Sequence, residues 1–234
     1  EELYKKYFMK NILVVGASKG IGLSLAQRAA TANRVFSVSR TISPELGALG
    51  TTHFLLDAVQ DPLAPLDALP EVLHGLVYCP GSITLKTINR LSEEDFLQDF
   101  RQNVLGAVRV IQFCLPRLKR ANGASVVLFS TVAAKTGMAF HSSIAAAKAA
   151  VEGLGKSLAS ELAPQHIRVN VVAPSLTHTP LAHSLLNTPE KVEASAKRHP
   201  LNRIGQPEEM AALAQFLLSD DAAWVTGQVI GVDG

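Results

Sequence analysis

Three glycines stand close together near the start of the chain, in the stretch VVGASKGIG. They follow an apolar run typical of a buried strand and precede a run of helical periodicity. A glycine turn in this place suits a pyrophosphate, because it permits a tight bend and lets backbone N–H groups and the helix N-terminus approach the ligand. The turn is therefore predicted to bind a dinucleotide through Gly16, Ser18, Lys19, Gly20, Ile21 and Gly22.

Charged residues after the second apolar run bear on which dinucleotide is bound. An acidic residue in this place holds the ribose hydroxyls of NAD, whereas the 2′-phosphate of NADP requires cations. The chain has Ser39 and Arg40 here, and Lys19 adds a second positive charge. Arginine also stacks on adenine and pairs with phosphate oxygens. The sequence therefore favours NADP(H) as the cofactor, with NAD(H) as the weaker alternative.

Six short apolar runs are predicted to form the strands that position these residues. They cover residues 11–17, 34–40, 52–58, 75–81, 124–130 and 167–174, and they are bounded by Gly, Pro, Ser or Asn. Longer stretches of helical periodicity lie between several of them, including residues 92–119, which open on Ser92 as a cap, and an Ala-rich stretch from Ser142. The alternation predicts an α/β fold, a Rossmann-type doubly wound parallel sheet with helices on both faces.

Length and composition limit the class of function. With 234 residues, 47% of them hydrophobic, the chain can bury a substantial core, and we expect one dinucleotide-binding domain over residues 9–234. Residues 1–8 are expected to be either an expression remnant or a native extension. A net charge of +2 gives no field suited to nucleic acid or to a membrane. A small-molecule partner is therefore favoured.

The cysteines and histidines indicate the compartment and argue against a metal. Cys79 and Cys114 are too few for a disulfide framework, and the sequence has no leader and no apolar run near 18 residues. This pattern favours a reducing cytoplasm. The histidines at positions 178, 183 and 199 lack a tight ligand spacing, so no metal site is expected.

Several motifs together resemble the short-chain dehydrogenase/reductase family. The glycine spacing is G-x-x-x-G-x-G, and LDA, CPGS, NVLG, a lysine helix, VRVNVVAPS and IGQPEEMAALAQFLLSDDAAWVTGQVIGVDG follow in order. The resemblance extends from about Asn11 to Gly234. It implies a parallel sheet of seven strands, a nicotinamide cofactor, and a homodimer or homotetramer. It also implies a catalytic set of an Asn, a Ser, and a Tyr four residues before a Lys.

The catalytic set carries over only in part. Asn103 matches the family's asparagine, for which the resemblance implies that it holds a water molecule on the proton path to the lysine. Lys148 matches the family's lysine, which holds the nicotinamide ribose. Thr131 stands at the serine position and keeps a hydroxyl that can donate to a carbonyl. The tyrosine position holds Ile144, which has no proton to transfer. His141 lies three residues earlier and is a possible substitute donor.

Other residues are implied to contact the cofactor. Asp57 resembles the family's contact to the adenine amino group. The remaining implied contacts are Ala58, Gly81, Lys148, Pro174, Ser175, Thr177 and Thr179.

Two further departures from the family lie beside the predicted cofactor. Where the family reads N-N-A-G, this chain reads YCPG, so Cys79 replaces an asparagine and Pro80 removes a backbone donor. The family's P-G becomes Pro174-Ser175, which removes freedom for a positive φ. We therefore expect a reshaped site.

Three interpretations of function remain open at this level. The first is an oxidoreductase for carbonyls and alcohols in which another group or water replaces the tyrosine, with slow turnover because a general acid contributes about 10²–10⁴-fold. The second is a reductase of conjugated carbon–carbon double bonds. The third is a cofactor-binding sensor or partner subunit without catalysis, which predicts NADP(H) binding and no turnover.

Overall fold

The strands form one parallel sheet with the order β3-β2-β1-β4-β5-β6-β7. The structure is a computed structural model that describes residues 9–234, so residues 1–8 lie outside it. The predicted doubly wound parallel sheet is confirmed. Its strands are β1 Asn11–Val15, β2 Arg34–Ser39, β3 Thr52–Leu55, β4 Gly75–Tyr78, β5 Ala124–Phe129, β6 Ile167–Pro174 and β7 Val229–Val232.

Helices connect most of the strands. Across residues 9–234 the α-helices are α1 Gly20–Ala29, α2 Pro44–Gly47, α3 Glu93–Phe100, α4 Gly106–Arg120, α5 Ala133–Thr136, α6 Ser142–Leu162, α7 Pro189–Ala196 and α8 Pro207–Leu218. Short 3₁₀ helices span Ala64–Ala68, Ile88–Arg90, Ala163–Gln165, Pro180–Leu185 and Asp220–Ala222. In this described part of the chain, none of the helices is long and apolar enough to cross a membrane.

The core consists of two apolar clusters, one on each face of the sheet. Leu13 and Val15 of β1 belong to a cluster that includes residues of α4 and α6. Ile12 and Val14 alternate with them and belong to a second cluster, which includes residues of α1 and α8. Because successive side chains of a strand point to opposite faces, a strand covered on both sides needs a continuous apolar run. This explains why the residues of β1 from Ile12 to Val15 are all apolar.

The order of the strands reverses at β1. Its neighbours are β2 on one side and β4 on the other. From β1, the chain adds β2 and β3 toward one edge of the sheet and β4 to β7 toward the other edge. In open parallel sheets, ligands bind in the crevice outside the carboxyl ends of the strands at such a reversal. The glycine turn follows β1, and the YCPG segment begins at Tyr78, the last residue of β4, so both lie at this edge.

The stretch 92–119 is not the single continuous helix that its periodicity predicts. Ser92 is the predicted N-cap of α3, and its hydroxyl accepts a hydrogen bond from the Asp95 N–H at 3.2 Å. A π-helical turn over Arg101–Leu105 separates α3 from α4. The Tyr78 hydroxyl donates to the carbonyl oxygen of Gln102 in this turn at 2.8 Å. π turns are frequent at functional sites, and this one contains Asn103.

Candidate active site

Two adjoining cavities open at the carboxyl edge of the sheet. The smaller has a volume of about 340 Å³ and extends from the glycine turn toward the end of β2. The larger has a volume of about 610 Å³ and extends from β5 toward the segment that follows β6. They share Ile21, Cys79, Gly81, Thr179 and Leu181 as lining residues. Together they form one cleft.

Most of the predicted cofactor residues line the smaller cavity. These are Gly16, Ser18, Lys19, Gly20, Ile21, Gly22, Ser39, Arg40, Asp57, Ala58, Gly81 and Thr179. Residues from three separate turns therefore meet at one surface. The larger cavity is lined by the others, namely Lys148, Pro174, Ser175 and Thr177.

The glycine turn has a backbone shape that side chains would prevent. Gly16 has a φ of +83°, and a Cβ atom on it would lie 2.9 Å from the backbone nitrogen of Pro80. A Cβ on Gly22 would overlap the carbonyl oxygen of Gly16. The first residue after this bend, Lys19, is the N-cap of α1, and no side chain of residues 9–234 caps the helix there. The N-terminus of α1 can therefore serve an anion from the smaller cavity.

Two cations lie where the 2′-phosphate was predicted. Arg40 is 71% exposed in its side chain, and one of its terminal nitrogens is 3.9 Å from a carboxylate oxygen of Asp57. Lys19 is also exposed. The other Asp57 oxygen accepts the backbone N–H of Val59 at 2.8 Å, so this carboxylate also holds the turn after β3. The Ser39 hydroxyl donates to the Thr41 carbonyl at 2.7 Å and is engaged locally.

Ile144 lies on the wall of the larger cavity and is 4% exposed. Thr131 lies on the same wall, but its hydroxyl donates to the carbonyl oxygen of Pro174 at 3.3 Å. The Thr131 hydroxyl oxygen also accepts the N–H of Ala133 at 3.3 Å. The Thr131 hydroxyl is thus turned toward the segment after β6, and it must rotate before it can donate to a substrate carbonyl.

Lys148 reaches from α6 to the end of β5. Its ammonium group donates to the carbonyl oxygen of Phe129 at 2.9 Å, and the residue is only 8% exposed. Burial lowers the pKa of Lys148 to about 8, while Cys79 and Asp99 act in the opposite direction. Burial also raises the pKa of the Cys79 thiol, to about 12. A buried lysine that lines a cleft is characteristic of a functional group rather than a solvated surface charge.

Asn103 is buried behind Gly81 and is not among the residues that line the two cavities. Its amide nitrogen donates to Asp99 O at 2.8 Å and to the Ser82 hydroxyl at 3.0 Å. Its Oδ1 atom has no hydrogen-bond partner within residues 9–234. A Cβ on Gly81 would lie 3.5 Å from this oxygen and 3.6 Å from the Lys148 Nζ. Gly81 therefore keeps open the small space that both atoms face.

Sequence reasoning missed a buried carboxylate next to Asn103. The Asp99 side chain accepts hydrogen bonds from the hydroxyls of Ser82 at 2.5 Å, Thr84 at 3.2 Å and Ser143 at 2.7 Å. Ser143 directly precedes Ile144, so this network joins α3 to the start of α6. The spacing of four residues from Asp99 to Asn103 is the one signal in the sequence, since it places both on one side of a helix.

Sequence reasoning also missed a pairing between a serine and a histidine. The Ser175 hydroxyl and His199 Nε2 are 2.8 Å apart, and His199 Nδ1 is 2.9 Å from the carbonyl oxygen of Ser195. Both residues line the larger cavity. No spacing rule could have found this pair, because the residues lie on opposite sides of the irregular segment around α7.

The other histidines differ from His199 in their position. His141 lines the larger cavity, is half-buried, and its Nδ1 lies 2.7 Å from the Ala139 carbonyl oxygen. His178 and His183 are exposed and are not among the cavity residues. Within residues 9–234, no group of three or more His, Cys, Asp or Glu side chains could hold a metal ion.

The described chain offers no phenol to the cleft. Tyr78 is the tyrosine of residues 9–234, it is 3% exposed, and it is absent from the lining of both cavities. Its hydroxyl is engaged by Gln102, and burial raises its pKa. It therefore cannot stand in for a tyrosine at position 144.

Comparisons with known proteins agree with this geometry. Residues 57–234 match the sequence model described as enoyl-(acyl carrier protein) reductase. The chain is 36% identical to the 3-oxoacyl-[acyl-carrier-protein] reductase FabG of Thermotoga maritima, over 96% of each protein.

Two solved structures have the same fold. The ligand-free aldohexose dehydrogenase of Thermoplasma acidophilum superimposes with a TM-score of 0.88 at 28% identity, covering 98% of this chain and 94% of that one. An actinorhodin polyketide ketoreductase with NADPH superimposes with a TM-score of 0.90 at 28% identity, covering 97% and 96%. With its sheet order, glycine turn and buried Lys148, the chain belongs to the short-chain dehydrogenase/reductase family of nicotinamide-dependent oxidoreductases.

Proposed function

We propose that this chain, acting through residues 9–234 as one dinucleotide-binding domain, is an NADP(H)-dependent reductase of a carbonyl compound. The observation that carries the proposal is the shared wall of the two cavities, which joins the glycine turn to Lys148 and Thr131. The 3-oxoacyl reductase and ketoreductase relatives support the same reaction class. We also propose a cytoplasmic location, on the basis of the few cysteines in the sequence.

The residues present fit a nicotinamide dinucleotide. Side chains at Gly16 or Gly22 would fill the turn after β1, and the uncapped start of α1 faces a pyrophosphate-sized cavity. At the other end, the unpartnered Asn103 Oδ1 and the Lys148 ammonium group face a small polar space. We assign the adenosine half to the smaller cavity and the nicotinamide half to the larger one. Bound there, the cofactor would supply the hydride.

The side chains of the larger cavity would bind and orient. Lys148 would hold the nicotinamide ribose through its ammonium group, since desolvation strengthens a charge-assisted hydrogen bond. Asn103 Oδ1 would accept from a water molecule between it and Lys148. Thr131 would turn its hydroxyl from Pro174 to a substrate carbonyl. The wall offers more apolar than polar groups, including Met138, Ile144 and Leu181, which suits a substrate with a hydrocarbon portion.

Cofactor preference can be tested by titrating NADPH and NADH and following nicotinamide fluorescence. We expect NADPH to bind at least about tenfold more tightly, because Lys19 and Arg40 offer charge-assisted bonds to the 2′-phosphate. Arg40→Ala should remove most of this preference. Arg28→Ala, at the exposed far end of α1, is the matched control and should leave it unchanged. Equal affinities for the two cofactors would refute the proposed NADP(H) specificity.

A second candidate reaction is the reduction of a conjugated double bond, which is favoured by the enoyl reductase description of the matching sequence model. A panel of activated ketones and of enones, each assayed with NADPH, separates the two reactions by the class that is consumed. Tight NADPH binding without turnover on either class would identify a non-catalytic sensor or partner subunit instead.

A further inference from the structure

We propose that Ser175 and His199 form a proton relay that serves the substrate in place of the tyrosine that Ile144 replaces. The proposal rests on the proposed reductase function. It assigns a catalytic role to Ser175, which touches the cavity, and a proton-supplying role to the histidine behind it.

Hydrogen-bond geometry determines which nitrogen of His199 carries the proton. A carbonyl oxygen only accepts hydrogen bonds, so Nδ1, which lies 2.9 Å from Ser195 O, must be the N–H donor. In the neutral ring Nε2 is then the acceptor, and the Ser175 hydroxyl at 2.8 Å donates to it. A hydroxyl paired with an imidazole that a third group orients is the arrangement that moves protons to and from substrates in acid–base catalysis.

The pair is held in place from several sides. His199 is 8% exposed, and the backbone N–H of Ser175 donates to Val232 O at 3.0 Å, which ties it to β7. The residue before Ser175, Pro174, accepts the Thr131 hydroxyl through its carbonyl oxygen. The hydroxyl at the family's serine position therefore contacts the residue next to Ser175. A substrate oxygen near Thr131 would also be near the relay.

Other ionisable groups on the same wall are poorer donors. The Lys148 ammonium group is held by Phe129 O, and the raised pKa of the Cys79 thiol makes it a weak acid. His141 is half-buried at the N-cap of α6, and no hydroxyl of residues 9–234 is hydrogen-bonded to its Nε2. The Arg198 guanidinium is engaged by the Ser195 hydroxyl, to which it donates at 3.2 Å. The Ser175 and His199 pair combines burial, a fixed orientation and contact with the cavity.

The proton balance of a reduction can be written through this pair. A hydride supplied to the carbonyl carbon would move the electron pair of the C=O π bond to oxygen. That oxygen takes the hydroxyl proton of Ser175, whose Oγ takes the Nε2 proton of a cationic His199. The imidazole is left with one proton, on Nδ1, and is reprotonated from solvent. One hydride and one proton are added to the substrate, and one oxidised cofactor is released.

Four single variants test the relay against a merely structural role. Ser175→Ala and His199→Gln should each lower kcat for NADPH-dependent ketone reduction about a hundredfold, the lower range for a positioned acid. Ser175→Thr, which keeps the hydroxyl, should recover most of the rate. His183→Gln, an exposed histidine of the same segment, is the control and should change the rate less than about twofold. NADPH affinity should be preserved in His199→Gln and His183→Gln, which change residues outside the implied cofactor contacts.

The background variant Ile144→Tyr makes the test specific. With a phenol at position 144, the relay is redundant, so His199→Gln should cost less than about threefold in that background. An equal loss in both backgrounds would show that the pair only shapes the cavity, and would overturn the relay while leaving the reductase function intact. A parent protein without turnover on any ketone or enone would overturn both.

Nitrogen NMR of the imidazole gives a readout that needs no turnover. In the cofactor-free protein the His199 proton should reside on Nδ1, and Ser175→Ala should shift the Nε2 resonance while leaving that of Nδ1 in place. A proton on Nε2 in the neutral ring, or an Nε2 resonance that Ser175→Ala does not move, would refute the hydrogen-bond direction on which the relay depends.

Discussion

Two residues of α6 that line the larger cavity, Lys148 and Ile144, differ sharply in chemistry. Lys148 and Ile144 lie one turn apart on α6, yet one is a buried cation and the other a buried hydrocarbon. Position 148 thus keeps an ionic group, whereas position 144 has no proton to transfer. Two variants test these positions separately.

At position 144, a phenol should transfer a proton faster than the proposed relay of Ser175 and His199. Ile144→Tyr places a hydroxyl one helical turn from the Lys148 ammonium group, whose charge lowers the pKa of the phenol. We expect NADPH-dependent reduction of an activated ketone to rise about a hundredfold. Ile144→Phe, which adds the ring without the hydroxyl, is the matched control. Equal rates for the Tyr and Phe variants would show that cavity shape, rather than proton supply, limits the reaction.

Lys148 is expected to lower the free energy of unfolding while it serves cofactor binding. The pKa of Lys148 in the folded chain is about 8, below its ordinary value of 10.5. Between these two values the folded state binds fewer protons than the unfolded state, so the free energy of unfolding rises with pH through this window. Below about pH 8 the full penalty for the buried charge is present.

Lys148→Met should therefore stabilise the protein near neutral pH while abolishing tight cofactor binding. Removing the buried charge should raise the free energy of unfolding by about 3 kcal/mol at most. Losing the hydrogen bond to Phe129 O should lower it by about 1 kcal/mol. We expect a net gain near 2 kcal/mol in urea unfolding at about pH 7 that shrinks toward about pH 10. Lys156→Met, an exposed lysine of the same helix, should show neither effect. A destabilised Lys148→Met protein at neutral pH would contradict this argument.

At the scale of elements, the π turn and β4 depend on each other. A Cβ on Gly106, the first residue of α4, would overlap the Tyr78 hydroxyl that donates to Gln102 O. The hydroxyl satisfies a carbonyl of the turn, and the glycine leaves room for it. Asn103 lies between these two contacts and takes its position from them.

Gly106→Ala should consequently destabilise the fold by about 2 kcal/mol, the usual cost of overpacking. In a Tyr78→Phe background the overlapping atom is gone, so the same substitution should cost less than about 1 kcal/mol. Urea unfolding of the two single variants and the double variant gives the coupling free energy. Additive effects would show that Tyr78 and Gly106 do not share this space.

The elements also show how far sequence reasoning reaches. Six strands were predictable because burial on both faces demands continuous apolar runs, and each glycine of the turn after β1 was recognisable from its spacing. The run of β7, VIGV, is only four residues long and is interrupted by Gly231, so its pattern is too weak to identify a strand. The π turn was hidden because periodicity near 3.6 survives one inserted residue. The pairs of Asp99 with Ser143 and of Ser175 with His199 depend on tertiary contacts, which no local spacing reports.

At the scale of the whole molecule, the surface around the π turn has apolar side chains that nothing in the described chain covers. Leu97, Phe100 and Leu105 are 40%, 38% and 48% exposed. They lie on α3 and the π turn, close in sequence to the long helix α4. We propose that this region contributes to the homodimer or homotetramer expected from the family resemblance.

Sedimentation velocity at micromolar concentration should accordingly show a dimer or a tetramer. Leu105→Glu should shift the distribution toward smaller species, because a charge at an apolar contact loses its hydration. Ile42→Glu changes an exposed apolar residue elsewhere, 54% exposed, and should leave the distribution unchanged. A monomer in the parent protein would contradict the assembly, and an effect of both variants would place the contact elsewhere.

The burial of Lys148 has a consequence for covalent labelling. At a pH equal to its pKa, about 8, half of this side chain is an uncharged amine, whereas exposed lysines are almost fully protonated there. Because the amine lines the larger cavity, small aldehydes and acylating reagents that enter the cleft should modify it before any surface lysine. A dinucleotide that occupies the cleft should shield Lys148, so the rate of modification would report cofactor occupancy. An electrophile with a hydrocarbon tail therefore offers a starting point for a selective inhibitor.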